Sequence, residues 1–282
     1  MPRSTLAVAN GAEQAARDVA ANPTTQMLGR LGYAAKGIVY LIIGLLAAQA
    51  AIGGSGGATT DRKGALRAIY DQPFGKLLLI IVAVGLCGYA LWSFVRAAAD
   101  TEGKGREPKG LATRLGYAAI GVSYAALALT AVSVIRGTGS GQSSDTTTQD
   151  WTARLLDQPF GSFLVIVAAL VVAGVAAWQF QQAYTAHFQK HLQSGGMSAQ
   201  ARAWVVNLGR AGLGARGVVF AVVAIFLVVA AVTHDQRKAK GLGGALQELA
   251  LQPYGQILLG LVAIGLVAYG LYSLAEARYR HL

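Results

Sequence analysis

The chain has 282 residues, 54% of them hydrophobic and 13% charged, and its 24 Lys and Arg against 13 Asp and Glu leave a net charge of +11. Soluble domains carry about 25% charged residues, so a soluble enzyme is disfavoured; the apolar content excludes a disordered chain, and a single cysteine, Cys87, excludes a disulfide scaffold. A pI near 10 usually points to nucleic acid, but here the charges are spread along helix ends with no basic aromatic module, so no nucleic-acid partner is expected.

In chain order, residues 1–27 read as a cytoplasmic N-terminal segment with no apolar signal core, and Asn10-Gly11-Ala12-Glu13 reads as a capping box opening a short helix. Residues 28–100 hold two apolar runs, 33–52 and 77–95. Between them Gly64-Ala65-Leu66-Arg67-Ala68-Ile69-Tyr70 predicts a short amphipathic helix at the outer interface, stopped by a proline. That proline, Pro73, is expected in the first turn of the next helix, with Asp71 as its acidic cap. Residues 101–111 read as a linker, and 112–185 hold runs 115–135 and 163–181, with a polar loop tip at 137–149. Residues 186–207 read as a linker whose last part, 199–207, lies flat on the inner interface; 208–282 hold runs 213–232 and 257–274. A hydrocarbon core of about 30 Å needs about 20 helical residues, so these are six transmembrane helices in an all-α membrane protein. No alternating strand pattern suggests a β-barrel.

Two motifs recur. Arg30-Leu31-Gly32-Tyr33-Ala34-Ala35 returns as Arg114-Leu115-Gly116-Tyr117-Ala118-Ala119 and, weakly, as Arg210-Ala211-Gly212-Leu213. Gln72-Pro73-Phe74-Gly75 returns as Gln158-Pro159-Phe160-Gly161 and Gln252-Pro253-Tyr254-Gly255. From Arg to Pro the spacing is 43, 45 and 43 residues, which marks three copies of one two-helix hairpin. An even number of spans per copy makes the copies parallel, and a pseudo-threefold bundle is the expected arrangement. Fifteen of the 24 basic residues fall on the side of the termini, so the positive-inside rule predicts a multi-pass protein of the cytoplasmic membrane with both termini in the cytoplasm.

The Arg-x-Gly-Tyr-Ala-Ala opening, the Ala-Leu segment, the Gln-Pro-Phe-Gly turn and the Tyr-x-x-Trp ending (Tyr89 and Trp92) resemble a bacterial integral-membrane family of unknown function, DUF1206. The resemblance runs over about residues 28–279 and implies a membrane location and three tandem two-helix copies. It brings no catalytic residues, substrate or cofactor.

Candidate functional residues are few. No Asp or Glu falls within the six runs, and Glu276 stands at the cytoplasmic end of the last, which argues against a carboxylate relay or an intramembrane metal centre. Lys36 and Arg216 hold equivalent positions and are expected to snorkel to the inner interface. With Arg30, Arg114 and Arg210 they form a possible rim for anionic lipid headgroups or anions. Tyr40, Tyr124 and Phe220 recur near mid-membrane as core packing or a central constriction. Tyr89, Trp92, Phe94, Trp178, Phe180, Tyr269 and Tyr272 read as an aromatic belt. His187 and His191 are four apart on a helical extension, too few ligands for a zinc site. Polar span residues Gln49, Ser93, Ser123, Ser133 and Gln179 show no common register. The expected role is therefore a non-enzymatic, cofactor-free membrane component that meets lipids or a membrane-protein partner. The alternative is a channel or facilitator along the pseudo-threefold axis. A polar centre would favour transport, and a dry, glycine-packed centre the structural role.

Overall fold

The computed structural model describes residues 22–53, 61–99, 107–138, 144–192 and 197–280; the capping box at 10–13 lies outside them. Its elements are α1 (Pro23–Ile52), α2 (Arg62–Tyr70), α3 (Gly75–Ala99), α4 (Pro108–Ile135), α5 (Ser144–Leu156), α6 (Gly161–Thr185), α7 (Ala199–Thr233), α8 (Leu242–Leu251) and α9 (Gly255–Tyr279), with 3-10 turns at His187–His191 and Gln236–Lys238. Six of the helices (α1, α3, α4, α6, α7 and α9) are long and apolar enough to cross a membrane, and each contains one of the six apolar runs. Among the described residues the strand content is one isolated antiparallel bridge, Leu192 to Arg280.

Local chemistry sets the helix ends. Asn22 caps α1 by accepting from the Thr24 amide at 2.9 Å, with Pro23 in the first turn, where its missing N–H needs no partner. Ser198 caps α7 through the Ala201 amide at 3.2 Å. Residues 199–207, expected as an interfacial linker, are helical and form the first turns of α7, where Val205 is buried. The expected loop tip at 137–149 is also corrected in part, because Ser144 opens α5. Its Ser-Asp-Thr-Thr start has poor helix propensity, and docking against neighbouring loops holds it.

The three Gln-Pro turns share one geometry. The prolines do not start the helices; α3, α6 and α9 begin two residues later at Gly75, Gly161 and Gly255. Asp71 is likewise the C-cap of α2, not the N-cap of α3. Phe74, Phe160 and Tyr254 take left-handed φ values of 60°, 61° and 60°. That conformation costs about 1–2 kcal/mol for an L-residue, and the glycine that follows shows why it is tolerated. A Cβ on Gly75 would lie 2.1 Å from the Tyr70 carbonyl oxygen, and one on Gly255 would lie 2.2 Å from that of Ala250. The short helix ends directly against the start of the long one, so the reversal must occur in a single residue.

The spanning helices pack in the order α4–α3–α1–α9–α7–α6. The sequence copies explain this order. Gly37, Gly121 and Gly217 are equivalent, and each faces the second helix of the preceding copy: a Cβ there would meet Leu274 at 3.0 Å, Phe94 at 2.8 Å and Phe180 at 2.8 Å. Leu274, Phe94 and Phe180 are themselves equivalent. Within a copy, Gly32 lies against the Tyr89 backbone and Gly212 against the Tyr269 backbone, each at 2.5 Å from an added Cβ. These are the neighbours of a ring of three hairpins, with one contact missing. Among the described residues the second copy's own helices, α4 and α6, share no comparable packing, and Gly116 and Gly174 have nothing within 4 Å of an added Cβ. The bundle is thus open at a seam inside the middle hairpin.

Candidate functional site

At the end of the bundle away from the described termini, α2, α5 and α8 interlock through two carboxylates. Asp61 caps α2 by accepting from the Gly64 amide at 2.8 Å, and also accepts from the Ser144 amide at 2.5 Å. Asp145 accepts from the Gly241 amide at 2.6 Å and the Gly244 amide at 3.0 Å. Carboxylates at helix N-termini are favoured by the exposed amides and the helix dipole. Lys63 donates to Thr147 Oγ1 at 2.8 Å, adding a further tie between α2 and α5.

Beneath these helices is a cavity of about 240 Å³. Arg62, Lys63, Ser144 and Thr147 are among its wall residues, and Tyr40, Arg216 and Phe220 come from the spanning helices. Arg216 is half-buried, and its Nη1 donates to the Tyr269 hydroxyl at 2.5 Å. Its guanidinium lies 4.5 Å from the Tyr269 ring centre, 5.2 Å from Tyr40 and 5.7 Å from Phe220. These contacts give cation–π attraction but no full counter-charge. Among the described residues no carboxylate pairs with Arg216, and its Nε is buried without a hydrogen-bond partner.

Towards the termini the bundle is closed by a polar plug. Lys36 and Glu276, each 3% exposed, form an ion pair with Nζ to Oε2 at 3.2 Å. Arg280 pairs with the other carboxylate oxygen of Glu276. The Lys36 ammonium also sits 4.6 Å from the Tyr33 ring centre, 5.1 Å from Tyr89 and 5.2 Å from Tyr269. Edge-to-face contacts continue the cluster, with Tyr33–Tyr89 at 5.1 Å, Tyr89–Tyr124 at 4.5 Å, Tyr40–Tyr269 at 4.8 Å and Phe188–Tyr272 at 5.1 Å. Aromatic pairs of this geometry add about 0.5–1.5 kcal/mol each beyond burial.

The five basic residues expected at a rim are divided by the fold. Arg30 and Arg210 are exposed, and Arg210 donates to the Tyr184 carbonyl at 3.3 Å. Arg114 donates to the carbonyls of Ala97 at 2.7 Å and Ala98 at 2.8 Å. Both therefore cap the C-terminus of the preceding copy's second helix, where a cation suits the dipole. Lys36 and Arg216 do not snorkel; both turn inward, because the tyrosines and Glu276 offer partners there. Tyr40 and Phe220 meet at Arg216, whereas Tyr124 stacks on Tyr89, with Arg62 6.0 Å from its ring centre.

Other expectations change as well. Tyr89, Trp92, Tyr269 and Tyr272 are core residues; of the expected belt only Phe94, Trp178 and Phe180 are exposed. Glu276 lies in the last turn of α9, at the end where the sequence places it, but is buried there. The chain leaves α6 through Ala186 at φ 51°, so His187 and His191 sit on a 3-10 turn and not on one α-helical face. Among the described residues no three His, Cys, Asp or Glu side chains gather to hold a metal. Sequence reasoning missed Tyr33, Tyr89 and Tyr269 as central residues. The repeat alignment could have found two of them, since Tyr89 and Tyr269 are equivalent and each follows an equivalent glycine, Gly85 or Gly265, by four residues. It also puts Ser93, Gln179 and Ser273 in register, all buried.

A chain 36% identical over 260 residues is the uncharacterized protein YxxB of Bacillus subtilis (strain 168); the match spans 92% of this chain and 93% of that relative. No solved structure matches. The family model for a domain of unknown function, DUF1206, matches three times, over residues 31–100, 115–186 and 211–280. These segments are the three hairpins that the glycine contacts interlock, and the chain belongs to the DUF1206 family as a multi-pass, three-copy membrane protein.

Proposed function

We propose that this protein is a non-enzymatic facilitator that admits a small solute into the interior of its helix bundle. The observation that carries this reading is the cavity of about 240 Å³ that ends on the half-buried Arg216. An ionisable side chain held at membrane depth without a counter-charge is costly, and such residues mark solute pathways. The tyrosine plug around Lys36 closes the other end, so passage needs a rearrangement and not a standing pore. Tyr40, Tyr124 and Phe220 act in this reading as the constriction between cavity and plug. In the orientation the basic loops favour, both termini are cytoplasmic and the cavity faces outward. Arg30, Arg114 and Arg210 then meet anionic headgroups of the inner leaflet.

The test is flux into proteoliposomes of purified protein, with phosphate, chloride and a neutral sugar as solutes. Wild type should pass at least one of them above empty liposomes, and Tyr40→Ala should change the rate severalfold. Wild-type flux equal to that of empty liposomes for all three sinks the proposal.

A second reading, a component that holds a lipid or a partner helix, is favoured by the unpacked seam between α4 and α6. There Gly116 and Gly174 face open space where their equivalents in the first hairpin are clamped.

A further inference from the structure

We infer that the cavity is a binding site for a phosphate-class oxyanion, held by Arg216 from the bundle and by Arg62 and Lys63 from α2. The inference deepens the facilitator reading and rests on the same cavity. The charge balance favours an anion. Three cations line the space, while Asp61 and Asp145 are taken up by the amides of Gly64, Ser144, Gly241 and Gly244.

The repeat explains why Arg216 meets no carboxylate among the described residues. Its equivalent in the first copy, Lys36, pairs with Glu276 on the second helix of the preceding copy. The residue equivalent to Glu276 on α6 is Gln182. Arg216 Nε and Gln182 Oε1 are both buried and without a hydrogen-bond partner. An amide in place of a carboxylate thus leaves the positive charge of Arg216 uncompensated at the cavity, and a bound anion would compensate it. The donors select the class. Guanidinium groups match pairs of oxygens in a bidentate fork, and an ammonium adds a point charge. A cavity of about 240 Å³ is large enough for a tetrahedral oxyanion and loose for a halide. The phosphate oxygens can come from free phosphate or from the headgroup of an anionic phospholipid.

The experiment uses the full chain in maltoside detergent. Inorganic phosphate is titrated calorimetrically, with chloride as the control anion, and native mass spectrometry follows retained phosphatidylglycerol. Phosphate should bind more tightly than chloride. Arg216→Gln should weaken it tenfold or more, since a charge-assisted hydrogen bond is lost. The double variant Arg62→Gln with Lys63→Gln should weaken it comparably, and it carries the test if Arg216→Gln does not fold. Lys76→Gln, an exposed cation away from the cavity, should leave binding unchanged. If phosphatidylglycerol is retained by wild type and lost from Arg216→Gln while free phosphate does not bind, the site stands with lipid as its source. Phosphate binding no better than chloride with no such lipid, or equal binding by all variants, overturns the inference. Phosphate binding without flux would leave the site standing and remove the facilitator; flux indifferent to Arg216, Arg62 and Lys63 would do the reverse.

Discussion

Lys36 and Glu276 are separated by 240 positions in the chain and joined by one buried ion pair. Removing one member of such a pair costs roughly 3–5 kcal/mol, because the other is left charged and unpaired. The two members are not equal here, since Glu276 also holds Arg280. Glu276→Gln strands two cations, whereas Lys36→Met leaves Glu276 its second partner. Thermal unfolding in detergent should therefore show a larger fall for Glu276→Gln than for Lys36→Met, and the double change to Met should recover part of the loss. Unfolding of Glu276→Gln at the wild-type temperature would refute the pairing. The sequence places both residues on helices but cannot show that they face one another. The position of Lys36 near the start of its run suggests snorkelling, and only the inward-facing tyrosines and Glu276 make burial the better solution.

At the scale of elements, identical local sequence meets different surroundings. Gly32 and Gly116 are the third residue of the same Arg-Leu-Gly-Tyr-Ala-Ala motif. A Cβ on Gly32 would lie 2.5 Å from the Tyr89 backbone nitrogen, while one on Gly116 would touch nothing. Gly32→Ala should destabilise by about 1–3 kcal/mol through overpacking. Gly116→Ala should stabilise by about 0.5–1 kcal/mol, because alanine loses less backbone entropy in a helix. Melting temperatures measured side by side should shift in opposite directions; shifts of the same sign would show that the second hairpin packs like the first. The spans and their turns were legible in the sequence because hydropathy, Pro and Gly act locally. The α5 helix was not, because its threonine-rich start is held by contacts of Asp145 with α8.

For the molecule as a whole, the copies interlock in the order of a ring whose middle hairpin is not closed. A photo-crosslinking residue at Gly174, in open space on α6, should capture lipid or another protein in native membranes if the seam is occupied. Capture of α4 from the same chain would show that the ring closes and would remove the partner reading. Sequence alone determined the membrane location, the six spans and the three copies. These follow from apolar run length, from proline and glycine punctuation and from repeated spacing, all carried by residues close together in the chain. Only the tertiary structure decided which charges are buried and paired, that Arg216 meets no carboxylate among the described residues, and that the seam within the middle hairpin stays unpacked among them. Those outcomes depend on contacts between copies. Single exchanges such as Gln182 at the position of Glu276 change the balance of charge without disturbing the hydropathy pattern that sets the fold.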